Sequence, residues 1–195
     1  MNSPMLILAS ASPRRADLLR QLGLEFQVMP SAIPELQGGP LSAGEVAQIN
    51  AYRKARAISK KYPDAVTLGV DTVVAADNQI FGKPAAMTEA EQMLLALQGR
   101  RHQVVTGVCL IHLRGHRQKV FFEQTVVTFR PLTLRQIRHY HSQTNPLDKA
   151  GGYGIQDQGD VLVEAVSGSF TNVIGLPLER FQAEWAAFAE PATMA

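Results

Sequence analysis

The chain has 195 residues, of which 46% are hydrophobic and 18% charged, and a formal net charge of +2 at pH 7. This composition is ordinary for a globular soluble protein. The small positive charge suits an anionic small ligand but falls short of a dedicated nucleic-acid-binding protein, so stable nucleic-acid binding is not expected. The single cysteine, Cys109, excludes an internal disulfide and a multi-cysteine zinc site.

No apolar stretch approaches the roughly 20 residues of a membrane span. Met1 to Ser12 also lacks the charged region and the long apolar region of a secretory signal. We therefore expect a cytoplasmic protein in a reducing setting, without a membrane partner.

The first predicted elements are a strand, a tight loop and a helix. Met5 to Ala9 is apolar and predicts a buried strand, which small residues interrupt before a helical pattern begins. Ser12 suits the N-cap and Pro13 the first helical position. A helix N-terminus presents free N–H groups and a positive dipole, to which Arg14 and Arg15 add two guanidinium groups. The pattern indicates a phosphate site, although first-turn arginines are often only solvated.

A long loop from Pro30 to Leu41 follows a short strand predicted over Leu24 to Met29. The loop carries one acid, Glu35. Loops of this length in a compact domain are often functional, so Glu35 is a candidate site residue.

Ser42 and Glu45 form a capping box for a helix that runs to about Tyr62. The apolar spacing gives this helix an inner face, and Lys54 lies on that face. A lysine there either extends its ammonium to the surface or faces a ligand, and the sequence leaves both alternatives open.

The next segment, Val66 to Ala76, is an almost continuous apolar strand interrupted by Asp71 and Thr72. Burying an aspartate is costly unless it is hydrogen-bonded, paired with a cation or bound to a metal. Asp71 is therefore either a salt-bridged core residue or part of a site. A short strand, Gln79 to Phe81, leads to Lys83, which is held in a stiff loop before a proline.

Thr88 and Glu91 predict a second capping box, for a helix that ends at Gly99. Two strong β-patterns follow, His102 to Leu113 and Gln118 to Arg130. Because a short turn separates them, they predict a hairpin of long antiparallel strands.

A third capping box, Thr133 with Gln136, opens a helix that should stop before Pro146. His139 and His141 lie on this helix. Residues two apart point away from each other on a helix, and we interpret both histidines as surface residues without zinc-binding spacing.

A glycine-rich loop from Asp148 to Gln156 comes next, and its glycines permit close approach to a ligand. A strand over Val161 to Val166, a turn over Gly168 to Pro177 and a helix over Leu178 to Phe188 complete the pattern. The sequence thus predicts one α/β domain over residues 1–195, with a mixed sheet, flanking helices and two lobes around a cleft.

Several of these segments carry groups suited to nucleotide phosphate cleavage. That chemistry needs cations on the pyrophosphate, carboxylates for a hard divalent metal and a base that activates water. The segments contribute Arg14, Arg15, Glu35, Lys54, Asp71, Lys83 and the loop Asp148 to Gln156.

Six short motifs resemble, in order, the signature segments of the Maf family of nucleoside triphosphate pyrophosphatases: SASPRR, NAYRKA, GVDTVV, GKP, DKAGGYGIQ and GSFTNVIGLP. They cover nearly the whole chain. The resemblance implies a single Maf-like domain with an elongated fold similar to that of the inosine triphosphate pyrophosphatases. It also implies hydrolysis of a nucleoside triphosphate to the monophosphate and pyrophosphate, with a divalent cation, Mg²⁺ or Mn²⁺.

By the same resemblance, Asp71 matches the family's proton acceptor, and Arg14, Thr72 and Gln156 match positions associated with substrate choice. Their combination is similar to the subgroup that acts on dTTP and UTP. The hypothesis assigns Glu35 and Asp71 to the metal and these two with Lys54 and Lys83 to catalysis. The substrate-binding residues are predicted to be Ser10, Ser12, Arg14, Arg15, Thr72, Lys149 and Gln156.

The chain departs from the family pattern at Pro34, where an acid is common, and also at Asn145 and Asp157. Pro34 puts a second metal carboxylate in that loop in doubt. Three alternatives stay open: modified pyrimidine nucleotides as substrates, a modified purine nucleotide such as 7-methyl-GTP, and a non-enzymatic protein that regulates division by binding. A homodimer is the default expectation for the oligomeric state.

Overall fold

The computed structural model describes residues 4–189. The ends of the predicted domain, residues 1–3 and 190–195, lie outside the described residues. The strands are β1 Leu6–Leu8, β2 Phe26–Val28, β3 Val66–Ala76, β4 Gln79–Phe81, β5 Arg101–His112, β6 Arg117–Phe129 and β7 Val163–Ser167. The helices are α1 Pro13–Gln21, α2 Ala43–Ser59, α3 Met87–Leu97, α4 Leu134–Gln143, α5 Gly159–Leu162, α6 Phe170–Ile174 and α7 Leu178–Ala189.

The strands form one mixed sheet of seven in the order β2-β1-β3-β5-β6-β7, with β4 paired to β3. β1 runs parallel to both β2 and β3, and the other pairs are antiparallel. The predicted mixed α/β class is confirmed. The predicted hairpin is confirmed as β5 and β6, which pair along their whole length from Arg101 with Thr128 to His112 with Arg117.

One edge of β3 changes partner in the middle of the strand. β1 pairs with β3 as far as Leu68, and β4 pairs with it from Val74 onward. The intervening segment, Gly69–Val73, has no strand on that edge among the described residues. Asp71 and Thr72 lie in this gap, and because side chains alternate along a strand, they point to opposite faces of the sheet.

The two largest buried clusters meet at the same gap. One contains Leu68 and Val70 with residues of β1, α1 and α7. The other contains Val74 with residues of α3, α4, β5 and β6. β3 therefore passes from one core into the other at Asp71 and Thr72, in keeping with the two lobes predicted from the sequence.

Helix α2 lies directly on the backbone of the central strands. A Cβ added at Gly69 would lie 2.1 Å from the carbonyl oxygen of Ala51, and one added at Gly107 would lie 2.3 Å from that of Ala47. The absence of side chains at these glycines allows this close approach. It brings Lys54 of α2 against β3.

Two of the three predicted capping boxes are confirmed, at the starts of α2 and α4. The third is wrong. α3 begins one residue before Thr88, and its N-cap is Ala86, which supplies no side-chain cap. The first turn is instead closed by Glu89, whose carboxylate accepts from the backbone N–H of Ala85, while Glu91 forms an ion pair outside the helix.

The prediction that both α4 histidines are surface residues is wrong for His141. His139 is exposed, but His141 is only 4% exposed and its Nε2 lies 3.1 Å from the carbonyl oxygen of Gly152. The opposite orientation of the two side chains is the reason, because one face of α4 packs inward. Cys109 is buried as expected, and burial raises the pKa of its thiol to about 12.

Two boundaries late in the chain also differ from the prediction. The strand expected from Val161 begins only at Val163, because Gly159–Leu162 forms α5. The turn expected over Gly168 to Pro177 contains α6. Within residues 4–189, no helix combines the length and the apolar character that crossing a membrane requires.

Candidate active site

A cleft of about 370 Å³ opens beside the gap in β3. All six sequence motifs contribute to its walls, from the loop after β1 to the segment around Gly175. The substrate-binding and catalytic candidates also meet here. The wall includes Ser10, Ser12, Arg14, Arg15, Glu35, Lys54, Thr72, Lys83, Lys149 and Gln156.

Asp71 is the one candidate that does not line the cleft. It is 3% exposed, with its Oδ1 2.5 Å from Lys54 Nζ and its Oδ2 accepting from Asn50 Nδ2 at 3.0 Å. Lys54 lines the cleft, so its ammonium lies between Asp71 and the open space. Asp71 thus has the partners of a salt-bridged core aspartate, placed directly behind the cleft wall.

Lys54 also contacts a second carboxylate. Its Nζ lies 2.6 Å from Glu35 Oε1, which in turn lies 2.8 Å from Lys83 Nζ. We call Glu35, Lys54, Asp71 and Lys83 the carboxylate cluster. Lys54 is 7% exposed, so of its two predicted alternatives, extension to the surface is not observed. Two anions and two cations alternate in the cluster, and their charges balance.

The cluster perturbs the pKa of Glu35. Burial alone would raise that pKa, but the ammonium groups of Lys54 and Lys83 outweigh it and hold the pKa at about 2. Glu35 is therefore an anion throughout the physiological pH range. Such a group can stabilise cations but does not take up a proton at neutral pH.

Asn50 organises the cluster and was not singled out for a role in the sequence. Its side chain donates to Asp71 and to the carbonyl of Leu36, and its Oδ1 accepts from the N–H of Leu36 at 2.8 Å. It therefore fixes the loop of Glu35 against β3. The available signal was its place on α2, one helical turn before Lys54.

Arg15 is held in a different manner, by neutral acceptors. Its Nε donates to the carbonyl of Gly175 at 3.0 Å, its Nη1 to Ser10 Oγ at 2.9 Å and its Nη2 to Thr72 Oγ1 at 3.0 Å. Burial lowers the pKa of this guanidinium, against the raising effect of Asp71 and Glu35. No carboxylate among residues 4–189 contacts Arg15, so its charge is available to an anion in the cleft.

Arg14 and Lys149 are both engaged with acids. Arg14 Nη1 lies 3.1 Å from Asp148 Oδ2. The ammonium of Lys149 contacts the carbonyl of Asn145 at 2.7 Å, Asp148 Oδ1 at 2.7 Å and Asp157 Oδ2 at 3.0 Å. All the donors of Lys149 therefore have a partner in its own loop. Asp157, one of the departures from the family pattern, is one of those partners.

The glycine-rich loop is supported by rings that sequence reasoning did not connect with it. Tyr140 Oη accepts from the N–H of Gly154 at 3.0 Å, and His102 Nε2 lies 2.7 Å from the hydroxyl of Tyr153. Burial lowers the pKa of His102 to about 4, so it is neutral at physiological pH. These supports come from β5 and α4, far from the loop in sequence, and no local pattern indicates them.

Metal binding is limited by the number of carboxylates. Within the described part of the chain, no group of three or more His, Cys, Asp or Glu side chains could hold a metal ion. Glu35 and Asp71 nevertheless lie close together, because both contact the ammonium of Lys54. Mg²⁺ is commonly bound by one or two carboxylates together with substrate phosphates. The donor set therefore fits a metal that arrives with a phosphate ligand.

Comparisons with known proteins agree with the motifs. The sequence model of a family described as Maf-like protein matches residues 5–188. The chain is 49% identical over 178 residues to a dTTP/UTP pyrophosphatase of Symbiobacterium thermophilum, covering 90% of this chain and 89% of the relative. It is 41% identical over 175 residues to a dTTP/UTP pyrophosphatase of Pelotomaculum thermopropionicum, covering 90% and 92%.

Among solved structures, a nucleoside-triphosphatase, dITP/XTP pyrophosphatase, of Mycobacterium abscessus matches with a TM-score of 0.48 and 17% identity, covering 97% of this chain and 100% of that chain. The expected likeness to the inosine triphosphate pyrophosphatases stays a prediction at this level of similarity.

Proposed function

The chain belongs to the Maf family, and on that premise we propose that it hydrolyses dTTP and UTP to the monophosphate and pyrophosphate. One observation carries the proposal. Arg15, a cation held only by neutral acceptors, lies in the same cleft as a charge-balanced cluster of carboxylates and lysines. A polyanion is attracted to Arg15, and a hydrolytic base can operate in the carboxylate cluster. The names of the relatives supply the pyrimidine specificity.

The triphosphate is bound by the basic residues of the cleft. Arg15 takes the position closest to the phosphates, and Lys83 lines the same cleft. Ser10 and Ser12 add hydroxyl donors at the N-terminus of α1, where the helix dipole favours an anion. Arg14 and Lys149 contribute indirectly in this proposal, since their donors already contact acids.

Asp71 acts as the base. Water attacks a phosphorus atom, the P–O bond to the leaving pyrophosphate breaks, and Asp71 accepts the proton of the water. Lys54 lies between Asp71 and the cleft, so the proposal includes a rotation of its ammonium toward the arriving phosphates. Glu35, whose pKa is held at about 2, stays anionic and keeps Lys83 in place while the ammonium of Lys54 turns.

Glu35 and Asp71 are also the residues that would hold a divalent cation, Mg²⁺ or Mn²⁺. When bound, the metal neutralises phosphate charge and polarises the scissile bond. Both carboxylates are oxygen donors suited to a hard cation, and both contact the ammonium of Lys54, so the cation would take the place of that ammonium once it has turned toward the phosphates.

Gln156 is proposed to read the base. It is exposed in the cleft wall, and no other side chain in residues 4–189 forms a hydrogen bond with its amide. The amide offers one acceptor and two donors, which suits the mixed edge of uracil or thymine.

We propose that the enzyme acts as a single domain, because one sheet runs through both buried clusters. We also propose that it is cytoplasmic. A homodimer stays a prediction.

The test is pyrophosphate release with Mg²⁺ across dTTP, UTP, CTP, dATP, GTP, ITP and 7-methyl-GTP. We expect preference for dTTP and UTP, and Mn²⁺ to support activity as well. Preference for 7-methyl-GTP or another purine would transfer the proposal to the modified-purine alternative. No release from any nucleotide with either metal would favour the binding alternative, in which DNA affinity should fall steeply with salt.

A further inference from the structure

Two hydroxyl groups contact Arg15, and they differ in whether the hydroxyl proton is used in a hydrogen bond within the protein. Ser10 Oγ accepts from Arg15 Nη1 at 2.9 Å and from the N–H of Ser12 at 3.3 Å. Thr72 Oγ1 accepts from Arg15 Nη2 at 3.0 Å and lies 3.0 Å from Thr106 Oγ1. A hydroxyl has one proton, so the role of each group toward a ligand depends on where that proton is used.

The proton of Thr106 is fixed by a buried carbonyl. Thr106 Oγ1 donates at 3.1 Å to the carbonyl oxygen of Asn172, a residue with no exposed surface. The backbone N–H groups that could have served this carbonyl, those of Gly175 and Leu176, both bond to Thr171 instead. Without Thr106 the buried carbonyl would have no donor, an arrangement that folded proteins avoid.

The direction of the Thr72 proton follows. Since Thr106 uses its only proton on Asn172, the 3.0 Å contact between the two threonines must be a donation from Thr72 to Thr106. Thr72 then accepts from Arg15, donates away from the cleft and keeps one free lone pair. Ser10 accepts two hydrogen bonds and keeps its proton free to donate.

We propose that Thr106 is a positioning residue for substrate selection: through the hydrogen bond from Thr72 it turns the Thr72 oxygen into an acceptor that recognises a hydrogen-bond donor of the nucleotide. This inference rests on the proposed function. Ionised phosphate oxygens only accept, so Ser10 suits them and Thr72 does not. The donors of a pyrimidine deoxynucleotide that fit Thr72 are the N3–H of the base and the 3′-hydroxyl of the sugar.

The proton direction is testable without substrate. Neutron diffraction from crystals of the full chain, exchanged into D₂O, should place the Thr72 deuterium on the line to Thr106 Oγ1 and the Thr106 deuterium on the line to the Asn172 carbonyl. A Thr72 deuterium that points into the cleft would overturn the proposal.

The functional test uses dTTP, its N3-methyl analogue and its 3′-deoxy analogue. The wild type should hydrolyse one analogue about tenfold or more less efficiently than dTTP. Because Gln156 is also proposed to contact the base, the donor read by Thr72 is the one whose discrimination falls in Thr106→Val. Thr106→Val should reduce this discrimination about tenfold, mainly through KM for dTTP, because the Thr72 proton is then free to rotate. Thr106→Ser keeps the hydroxyl and should keep the discrimination.

Two results would contradict the inference: equal losses on all three nucleotides in Thr106→Val, or a wild type that does not distinguish either analogue from dTTP. If Thr106→Val does not fold, the neutron result decides. A wild type that hydrolyses no triphosphate would refute the proposed function, while the proton direction is judged by diffraction alone.

Discussion

The two faces of β3 hold cations in opposite ways. On the face of Asp71, Lys54 and Lys83 contact carboxylates at 2.5 to 2.8 Å, so each charge has a counter-charge. On the face of Thr72, Arg15 contacts only a carbonyl and two hydroxyls. Neighbouring residues of one strand thus belong to a charge-balanced face and to a face with one unbalanced cation.

The difference separates two tasks. An unbalanced, partly buried cation gains most from an anionic ligand, because the ligand supplies the counter-charge that the protein withholds. A balanced cluster attracts an anion less, but it keeps a carboxylate ionised and positioned beside the cleft. We therefore assign anion binding mainly to the Thr72 face and proton transfer to the Asp71 face.

The largest expected effect comes from the Asp71 face. Asp71→Asn preserves the size of the side chain and still permits contact with Lys54, but it removes the base. We therefore expect kcat to fall by about 10²- to 10⁴-fold with little change in KM. Steady-state pyrophosphate release measures it. Asp77→Asn is the matched control, since Asp77 is an exposed residue after the same strand. Normal turnover by Asp71→Asn would refute the assignment of the base.

The two arginines provide a direct comparison of a balanced and an unbalanced cation. Arg15 reaches its three acceptors with three different nitrogens, and lysine has only one, so in Arg15→Lys kcat/KM should fall by about 10- to 100-fold. Arg14→Lys, whose charge is offset by Asp148, should lose about tenfold or less. Arg20→Lys, on the exposed side of α1, controls for the helix. Equal losses for Arg14 and Arg15 would show that charge balance does not distinguish them.

The smallest effect concerns stability at acidic pH. The pKa of Glu35 is about 2 in the folded protein and near its ordinary 4.5 when unfolded. A depressed pKa contributes stability above about pH 4.5, and this contribution is lost as the pH falls toward 2. Between pH 5 and pH 3 the wild type should lose about 1 kcal/mol more than Glu35→Gln, a figure reduced for the partial exposure of Glu35.

Urea unfolding at each pH measures that difference. Glu25→Gln is the control, because Glu25 is exposed and forms no ion pair within the described residues. If Glu35→Gln loses stability over this range as steeply as the wild type, the lysines do not hold Glu35 ionised.

Local features of the fold were readable from the sequence. β3 has the bounds predicted from its apolar run, Val66–Ala76, and α2 and α4 have their predicted capping boxes. These features depend on contacts within a few residues. The error at Thr88 shows the limit of such reasoning, since the residue types of a capping box are present but the N-cap is Ala86, two residues before Thr88.

The site was only partly predictable. The sequence identified the residues that meet in the cleft. It did not predict that Asp71 lies behind Lys54 or that Lys149 forms an ion pair with Asp157. It also gave no sign that Thr72 contacts Thr106, because that contact requires the antiparallel register of β3 and β5, strands separated by β4 and α3. Such long-range pairings are fixed by packing rather than by local spacing.

The gap at Gly69–Val73 has a consequence for how this protein can diverge. Adjacent codons specify Asp71 and Thr72, yet the pleat directs their side chains to separate walls. If Thr72 and Asp71 have the roles proposed above, a substitution at position 72 alters what the Thr72 wall accepts and leaves the Asp71 wall intact. Substrate preference could then change by single mutations while the hydrolytic group stays the same.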